Sequence, residues 1–287
     1  MDDPAMFLTP GQVAALVAAT PWPYDVMVHL AAWSGLRAAE LAGLRVGDVT
    51  LPEARINPNA PANPGTVRVE QTIAWIGGEL TAVPPKTKGS RRVVPLTPAT
   101  TALLRDYLKR HPHRTAPTAP LFPCVRLRPP RPTGLQATDA DTGADNSDGS
   151  RSALRQATAL ADLTPAEAAE RLVLDWTVPV RHATFYKAVF RPAVLRANRR
   201  AAATGDPTAA LPPQLKWHGL RHTYASLCIA AGRPPLEVAR FMGHAKVTTT
   251  LGVYAHLYAD DFADAMAALG AMAAGPLQGD NVIALHG

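Results

Sequence analysis

Most of the chain has apolar residues at helical spacing, and one segment has the spacing typical of strands. Thr9 and Pro10 precede the first apolar run as an N-cap and a first helical residue. A longer apolar run from about Tyr24 ends at Gly35, a typical C-cap. The periodicity predicts helices over about residues 11–20, 24–34, 37–44, 97–111, 184–200, 218–231, 247–258 and 260–274.

The period changes to two over residues 66–96. TVRVEQTIAWI alternates apolar and polar residues, Gly77 and Gly78 are typical of a tight turn, and the runs ELTAV and RRVVPL follow. These segments predict a three-stranded antiparallel sheet whose second turn holds Lys86 and Lys88. We therefore expect an α+β fold that is mainly α-helical with a small antiparallel β-sheet.

One stretch has no periodicity. From about residue 124 to 163 the chain is rich in Pro, Thr, Ala and Asp. A structureless stretch of that length in a compact domain is typical of a surface insertion or a disordered loop. The patterned segments on its two sides need each other to form a core. We therefore expect one domain over residues 1–287, with a disordered Pro/Asp-rich insertion at about 124–163.

Composition indicates a soluble globular protein with a polyanionic partner. The 287 residues are 47% hydrophobic and 18% charged, and the net charge is +6. Two cysteines, Cys124 and Cys228, argue against a disulfide framework or a cysteine zinc site. The first residues lack the features of a signal peptide, and no apolar run is long enough to span a bilayer. We expect a reduced, cytoplasmic protein with no cofactor or metal.

The stretch from His218 to Tyr254 concentrates reactive side chains in a regular pattern. His218 and Arg221 are three residues apart, so they share one face of a predicted helix whose opposite face is apolar. His244 follows a glycine directly, ten residues before Tyr254. The pattern predicts that one helix face presents an imidazole beside a guanidinium.

Four motifs follow one another in a fixed order. They are GLRAAEL with Arg37, KTKGSRRVVPL with Lys86, HGLRH with His218 and Arg221, and MGHAKVTTTLGVY with His244 and Tyr254. This ordered set resembles that of the tyrosine recombinases, the phage-integrase family. The resemblance covers nearly the whole chain as that family's catalytic domain. It implies the DNA breaking-rejoining fold and a site-specific recombinase or integrase that cleaves and rejoins DNA without a metal, through a 3′-phosphotyrosyl intermediate.

The resemblance also implies how the phosphate is held. Breaking a phosphodiester without a metal requires neutralisation of the charge on its non-bridging oxygens, and guanidinium groups provide planar paired donors for this. Arg37 and Arg221 are the predicted pair. Glu40, one helical turn after Arg37, resembles the acidic residue that holds the first arginine in place.

The remaining motif residues are predicted to move protons and to form the covalent bond. Tyr254 would attack the phosphorus as the nucleophile. Lys86, on the hairpin turn, would protonate the departing 5′ oxygen as general acid, with Lys88 as the alternative. His218 would assist proton transfer, and His244 would donate a hydrogen bond to the phosphate.

A basic helix face is predicted to contact double-stranded DNA. The helix over residues 184–200 has a face with Lys187, Arg191, Arg196, Arg199 and Arg200. The expected phosphate contacts are made by Lys187, Arg191, Arg199 and Arg200. By resemblance, the working form would be a homotetramer on two paired DNA sites.

Some of these residues also fit an ordinary structural role. Arg37 alone would be a surface residue paired with Glu40, and Tyr254 lies at helical spacing from Val247, as a core tyrosine would. Two other functions stay open: a type IB topoisomerase-like strand-passage enzyme, and a catalytically idle DNA-binding fragment of an integrase. The first helix begins near Thr9, so we expect the family's N-terminal core-binding domain to be absent.

Overall fold

The computed structural model of the chain describes residues 7–52, 64–85, 90–128 and 146–257, together with Met266. The helices are α1 (Pro10–Ala18), α2 (Tyr24–Ser34), α3 (Ala38–Gly43), α4 (Pro98–Arg110), α5 (Asn146–Ala161), α6 (Pro165–Glu170), α7 (His182–Phe185), α8 (Arg191–Thr204), α9 (Trp217–Ala230), α10 (Pro235–Met242) and α11 (Val247–Tyr254). The strands are β1 (Val49–Thr50), β2 (Thr66–Val69), β3 (Thr72–Ile76), β4 (Glu79–Val83), β5 (Arg92–Pro95), β6 (Pro123–Leu127) and β7 (Leu172–Pro179). The predicted fold class, mainly α-helical with antiparallel β-structure, is confirmed.

Helix α1 begins at its predicted N-cap, and helix α2 ends at its predicted C-cap. The Thr9 side chain accepts a hydrogen bond from the Gln12 backbone N–H (3.2 Å), and the Gln12 side chain accepts one from the Thr9 N–H (2.9 Å). These two bonds form a capping box at the start of α1. At the end of α2, Gly35 has a φ of +64°, a left-handed conformation that glycine adopts without steric cost. Its carbonyl accepts a hydrogen bond from Arg221 on α9.

The strands between residues 66 and 95 form two sheets, so the prediction of a single three-stranded sheet is wrong. β2 lies between β1 and β5 in one antiparallel sheet, and β3 and β4 form a separate hairpin. The run TVRVEQTIAWI breaks at Gln71, whose side-chain amide donates to the Gly43 carbonyl at the end of α3 (3.0 Å). This anchor ends β2 and lets β3 start in another direction.

The turn predicted at Gly77 and Gly78 joins β3 to β4. Both glycines have positive φ, 60° and 89°, as a two-residue hairpin loop of the primed type requires. The predicted second turn, with Lys86 and Lys88, lies outside the described residues.

The predicted disordered insertion over about residues 124–163 has regular structure at both ends, and the prediction is wrong there. β6 pairs with β7 in an antiparallel ladder, and α5 packs against α8. Ala157, Leu160 and Ala161 of α5 are buried. Small alanines give a weak periodic signal, and so this helix was not predicted. Residues 129–145 lie outside the described part of the chain.

Helical structure from His182 to Thr204 confirms the predicted helix over residues 184–200. A π-helical turn, Tyr186–Phe190, joins α7 to α8. The predicted basic face is wrong at Arg196, which is only 8% exposed. Its guanidinium donates to the carbonyls of Ala19, Leu160 and Leu163. Because its donors are used inside the protein, Arg196 connects α1, α5 and α8.

Two groups of buried side chains hold the helices together. The larger contains Leu30 of α2, Leu104 of α4 and Leu220 of α9. The smaller lies among the last three helices and contains Tyr224, Ala225, Ile229, Val238, Met242 and Tyr254. Helix α9 contributes to both groups, so it fixes α10 and α11 against the rest of the domain.

None of the helices in the described residues combines the length and apolar character that a membrane span requires.

We predict that Gly35→Ala destabilises the protein more than Gly205→Ala. Both glycines end helices in the left-handed region, at φ of 64° and 66°, where alanine costs about 1 kcal/mol. A Cβ at Gly35 would also lie 2.4 Å from Tyr224 Cδ1, whereas nothing lies within 4 Å at Gly205. Urea unfolding should show a further loss of at least about 1 kcal/mol for Gly35→Ala. Equal losses would mean that the Tyr224 ring moves aside without cost.

Candidate active site

The buried carboxylate of Glu40 joins two arginines from distant parts of the chain. Arg37 Nη1 lies 3.0 Å from Glu40 Oε1, and the Arg37 backbone N–H donates to Oε2 (2.8 Å). Arg92 binds the same carboxylate with two donors, Nη1 to Oε1 and Nη2 to Oε2, each at 2.9 Å. Burial raises the pKa of Glu40, but the bonds and charge of Arg92, and then of Arg37, outweigh burial and lower the pKa. The carboxylate is therefore ionised at neutral pH.

Arg92 was not among the predicted site residues. Its side chain is 7% exposed, and its Nε donates to the Phe241 carbonyl near the end of α10 (2.8 Å). Gly243 ends α10 at a φ of +65°, and a Cβ there would lie 2.7 Å from Arg92 Nη1. Strand alternation is the signal that could have indicated Arg92, since it shares the inward face of β5 with the buried Val94.

The Arg221 guanidinium is buried without a paired carboxylate. Arg221 is 4% exposed, donates to the Gly35 carbonyl, and donates through Nη2 to the Met242 carbonyl (2.7 Å). Within the described residues no Asp or Glu forms an ion pair with it. Burial, and then the charge of Arg37, lower the pKa of Arg221. The Glu40 charge acts in the opposite direction, but Glu40 is itself paired with Arg37 and Arg92. Two carbonyls thus hold the Arg221 charge in place, and among the described residues it has no ion-pair partner of its own.

His218 and His222 stand one turn apart on α9. Their ring centroids are 4.8 Å apart and the ring planes are nearly perpendicular, at 84°. Burial lowers the pKa of both, and the Arg221 charge adds to this; for His222, where the His218 charge also acts, the pKa falls to about 4. Both imidazoles are therefore neutral at pH 7. His222 is the second histidine of HGLRH, and no role was predicted for it.

His244 follows the glycine that ends α10. Its Nδ1 lies 2.8 Å from the hydroxyl of Thr250 on α11, and Thr250 is fully buried. Burial, and then the charges of Arg221 and Arg37, lower the pKa of His244 to about 4. Arg37 Nη2 reaches the carbonyl of the preceding Gly243 at 3.5 Å, so the first and last motifs meet at this point.

Tyr254 is a core residue, and its hydroxyl also contacts the polar cluster formed by Arg37, Glu40, Arg92, Arg221 and the histidines. Its side chain is 1% exposed among the apolar residues of α9, α10 and α11. Its hydroxyl lies 2.7 Å from His222 Nδ1. Burial raises the pKa of Tyr254 to about 12, although the Arg221 charge acts in the opposite direction. Helix α11 therefore turns the tyrosine inward, with its hydroxyl at the polar end of a hydrophobic cluster.

The four residues predicted to contact DNA have different surroundings. Lys187 lines a surface cavity of about 500 Å³ together with His218 and Trp217. Arg191 donates to the Pro213 carbonyl. Arg199 forms an ion pair with Asp162 (2.6 Å), and Arg200 is exposed. Of these four residues, Lys187 lines a cavity together with His218, one of the predicted site residues.

The structure brings most of the predicted site residues to one place. These are Arg37, Glu40, His218, Arg221, His244 and Tyr254. Three residues without a predicted role, Arg92, His222 and Thr250, make hydrogen bonds to them. Lys86 and Lys88 lie outside the described residues. In the described part of the chain, no three His, Cys, Asp or Glu side chains are grouped so that they could hold a metal ion.

The sequence profile of the phage integrase family matches residues 6–260. The chain belongs to this family. As a phage integrase family member it is a tyrosine-type site-specific recombinase, and the resemblance inferred from the four motifs is confirmed. No curated protein sequence gives a significant match to the chain.

Solved structures of a transposon integrase share the fold of this family member. One is the Tn1549 transposon integrase in complex with circular intermediate DNA, which is 17% identical, with a TM-score of 0.52. Another is a Tyr→Phe variant of that integrase in complex with transposon right end DNA, which is 18% identical, with a TM-score of 0.54. Each match covers 95% of this chain and 68% of the other chain.

For this recombinase we predict that Arg92→Met is strongly destabilising. The substitution leaves the buried Glu40 carboxylate with Arg37 alone, and breaking a buried ion pair costs about 3–5 kcal/mol. Lys109→Met is the matched control, since Lys109 pairs with Asp106 on an exposed helix face, and we expect no measurable loss. Urea unfolding measures both. A loss for Arg92→Met as small as that of the control would mean that Glu40 does not need its second arginine.

Proposed function

We propose that this recombinase cleaves one strand of double-stranded DNA by attack of the Tyr254 hydroxyl on a backbone phosphorus. The attack joins the phenol oxygen to the 3′-phosphate and releases a 5′-hydroxyl, without a metal ion, and religation reverses the step. The observation that carries the proposal is the charge of the cluster. Three guanidiniums, those of Arg37, Arg92 and Arg221, lie around one carboxylate, that of Glu40.

The excess charge is suited to a phosphodiester. Arg92 uses its donors on Glu40, Phe241 and its own loop, so it is not available to a ligand. Arg37 is 40% exposed and uses Nη1 on Glu40. A phosphate at Arg37 and Arg221 would supply the counter-ion that Arg221 lacks, and its non-bridging oxygens would receive charge-assisted hydrogen bonds.

The histidines have protonation states that fit a proton-handling role. A neutral His244 donates to a phosphate oxygen through Nε2 if its Nδ1 accepts the Thr250 hydroxyl hydrogen, and the 2.8 Å contact allows this tautomer. His218 borders the cavity that Lys187 lines, and there it would assist proton transfer near the DNA backbone. Lys86, or its neighbour Lys88, is the proposed general acid for the 5′ oxygen.

A DNA partner is supported by the related structures and by the charge of the chain. The Tn1549 integrase structures are complexes with DNA, and this chain carries a net charge of +6. Phosphate contacts from Lys187, Arg191, Arg199 and Arg200 belong to the same proposal. A cytoplasmic location and a homotetramer on paired DNA sites also belong to this proposal. Sedimentation of the protein–DNA complex would give the number of subunits.

We predict that Tyr254→Phe abolishes covalent attachment to DNA. The wild-type protein is incubated with a pool of nicked duplexes whose sequence is random around the nick. After cleavage, the short 5′-hydroxyl product diffuses away, so religation cannot occur. A DNA adduct that resists SDS should form. Tyr254→Phe should give none, because phenylalanine has no nucleophile. The control Tyr258→Phe, four residues along the chain, should keep the adduct. Wild-type protein without an adduct, or Tyr254→Phe with one, contradicts the proposal.

We also predict that Lys187→Gln weakens the salt dependence of DNA binding. Loss of one phosphate contact lowers the slope of log affinity against log salt by about 1. Arg199→Gln should lower the slope less, because Asp162 already neutralises Arg199. Fluorescence anisotropy of a labelled duplex at increasing KCl measures both slopes. An unchanged slope for Lys187→Gln would place this residue outside the DNA interface.

A further inference from the structure

The Tyr254 hydroxyl has one hydrogen-bond partner among the described residues, and it is a histidine with no assigned role. His222 Nδ1 lies 2.7 Å from the phenol oxygen. A neutral imidazole has one ring nitrogen with a free lone pair, and a phenol is a hydrogen-bond donor. The contact therefore joins a nucleophile that must lose a proton to a group that can accept one.

The pair joins two helices and packs against one further aromatic ring. His222 lies on α9 and Tyr254 on α11, and their ring centroids are 5.8 Å apart. The ring centroid of Phe7 lies 6.3 Å from that of each residue, and both contacts are of the edge type. Tyr254 is 1% exposed, so solvent water has little access to its hydroxyl. In such a site a side chain takes the place of water as proton acceptor.

His218, which the family resemblance associates with proton transfer, is placed differently. It makes no hydrogen bond to Tyr254 within the described residues, and it borders the cavity lined by Lys187. Its ring stands at 84° to that of His222. His218 thus borders a cavity that the proposed function places beside DNA, whereas His222 contacts the nucleophile directly.

We propose that His222 is the general base that takes the proton of the Tyr254 hydroxyl during DNA cleavage. This inference rests on the proposed function, in which Tyr254 is the nucleophile. As the Tyr254 oxygen forms its bond to phosphorus, the phenol proton moves to His222 Nδ1, and the bond from phosphorus to the 5′ oxygen breaks. The departing oxygen receives its proton from the general acid. In religation His222 returns its proton to the phenol oxygen as Tyr254 leaves.

The titratable and charged groups around His222 keep its imidazole neutral in the free protein. His218 and Arg221 on its own helix, together with His244 after α10, surround it, and Tyr254 faces it from α11. The free protein keeps the imidazole neutral and the phenol protonated, with pKa values of about 4 and about 12. The transfer is therefore unfavourable before attack. The phenol becomes acidic only as its oxygen bonds to phosphorus, so transfer and attack are concerted.

His222→Asn is the variant that separates a base from a structural partner. The side-chain oxygen of asparagine can accept the hydrogen bond that Nδ1 accepts, but the amide cannot take up a proton at neutral pH. We expect single-turnover cleavage of a duplex selected with the wild-type protein to slow about 100-fold, the usual contribution of a general base. DNA affinity should stay unchanged. The control His113→Asn, in the turn after α4, should cleave at the wild-type rate.

A second substrate shows on which side of the phosphate His222 acts. A bridging sulfur in place of the 5′ oxygen leaves as a thiolate, which needs no proton. His222→Asn should remain about 100-fold slower than wild type on this substrate, whereas Lys86→Ala should recover. Recovery of His222→Asn on the sulfur substrate would place its action at the leaving group and overturn the proposal. Cleavage of the normal substrate by His222→Asn within about threefold of wild type would overturn it as well.

The failures of the two proposals are distinguishable. Without a wild-type adduct the proposed function fails, whereas a normal adduct with fast cleavage by His222→Asn rejects the role of His222 alone. If His222→Asn does not fold, nitrogen-15 NMR of the wild-type protein decides. An unprotonated Nδ1 at neutral pH is expected. A proton on Nδ1 overturns the proposal, since that nitrogen could not accept another.

Discussion

The site depends on one buried carboxylate shared by two guanidiniums. Glu40 binds Arg37, the N-cap residue of its own helix, and Arg92 of β5, and Arg92 also reaches the end of α10. Ionised carboxylates are stable inside a protein only when they are paired and hydrogen-bonded. The carboxylate therefore fixes where three separate elements meet. It also reduces the positive charge of the cluster by one unit, which leaves enough charge for one phosphodiester.

Local rules predicted much of this fold. The Thr9 cap, the glycine at position 35 and the helix over residues 184–200 depend on neighbours in sequence, so their patterns were sufficient. The division of strands at Gln71 was not predictable in this way, because its anchor is the Gly43 carbonyl, 28 residues away. Helix α5 was missed because its buried face is largely alanine.

The candidate site was predictable to the extent that its residues form ordered motifs. Arg92 and His222 lie inside two of those motifs and were still missed, since their roles arise from contacts with Glu40 and Tyr254, at separations of 52 and 32 residues. Tyr254 shows the limit of choosing between core and site. Helical spacing indicated a core residue, the motif indicated a nucleophile, and the side chain is buried with its hydroxyl at the polar cluster.

The position of Arg92 depends on the register in which β5 pairs with β2. Val94 and Arg92 share the inward face of β5, and the intervening Val93 is 56% exposed. A one-residue slip that turned Arg92 to solvent and Val93 inward would bring a valine against the Glu40 carboxylate. Length changes in the chain before Ser90 are compatible with this site only if β5 keeps its pairing with β2. The pairing of β2 with β5 therefore fixes Arg92 against Glu40, whatever the length of the chain before Ser90.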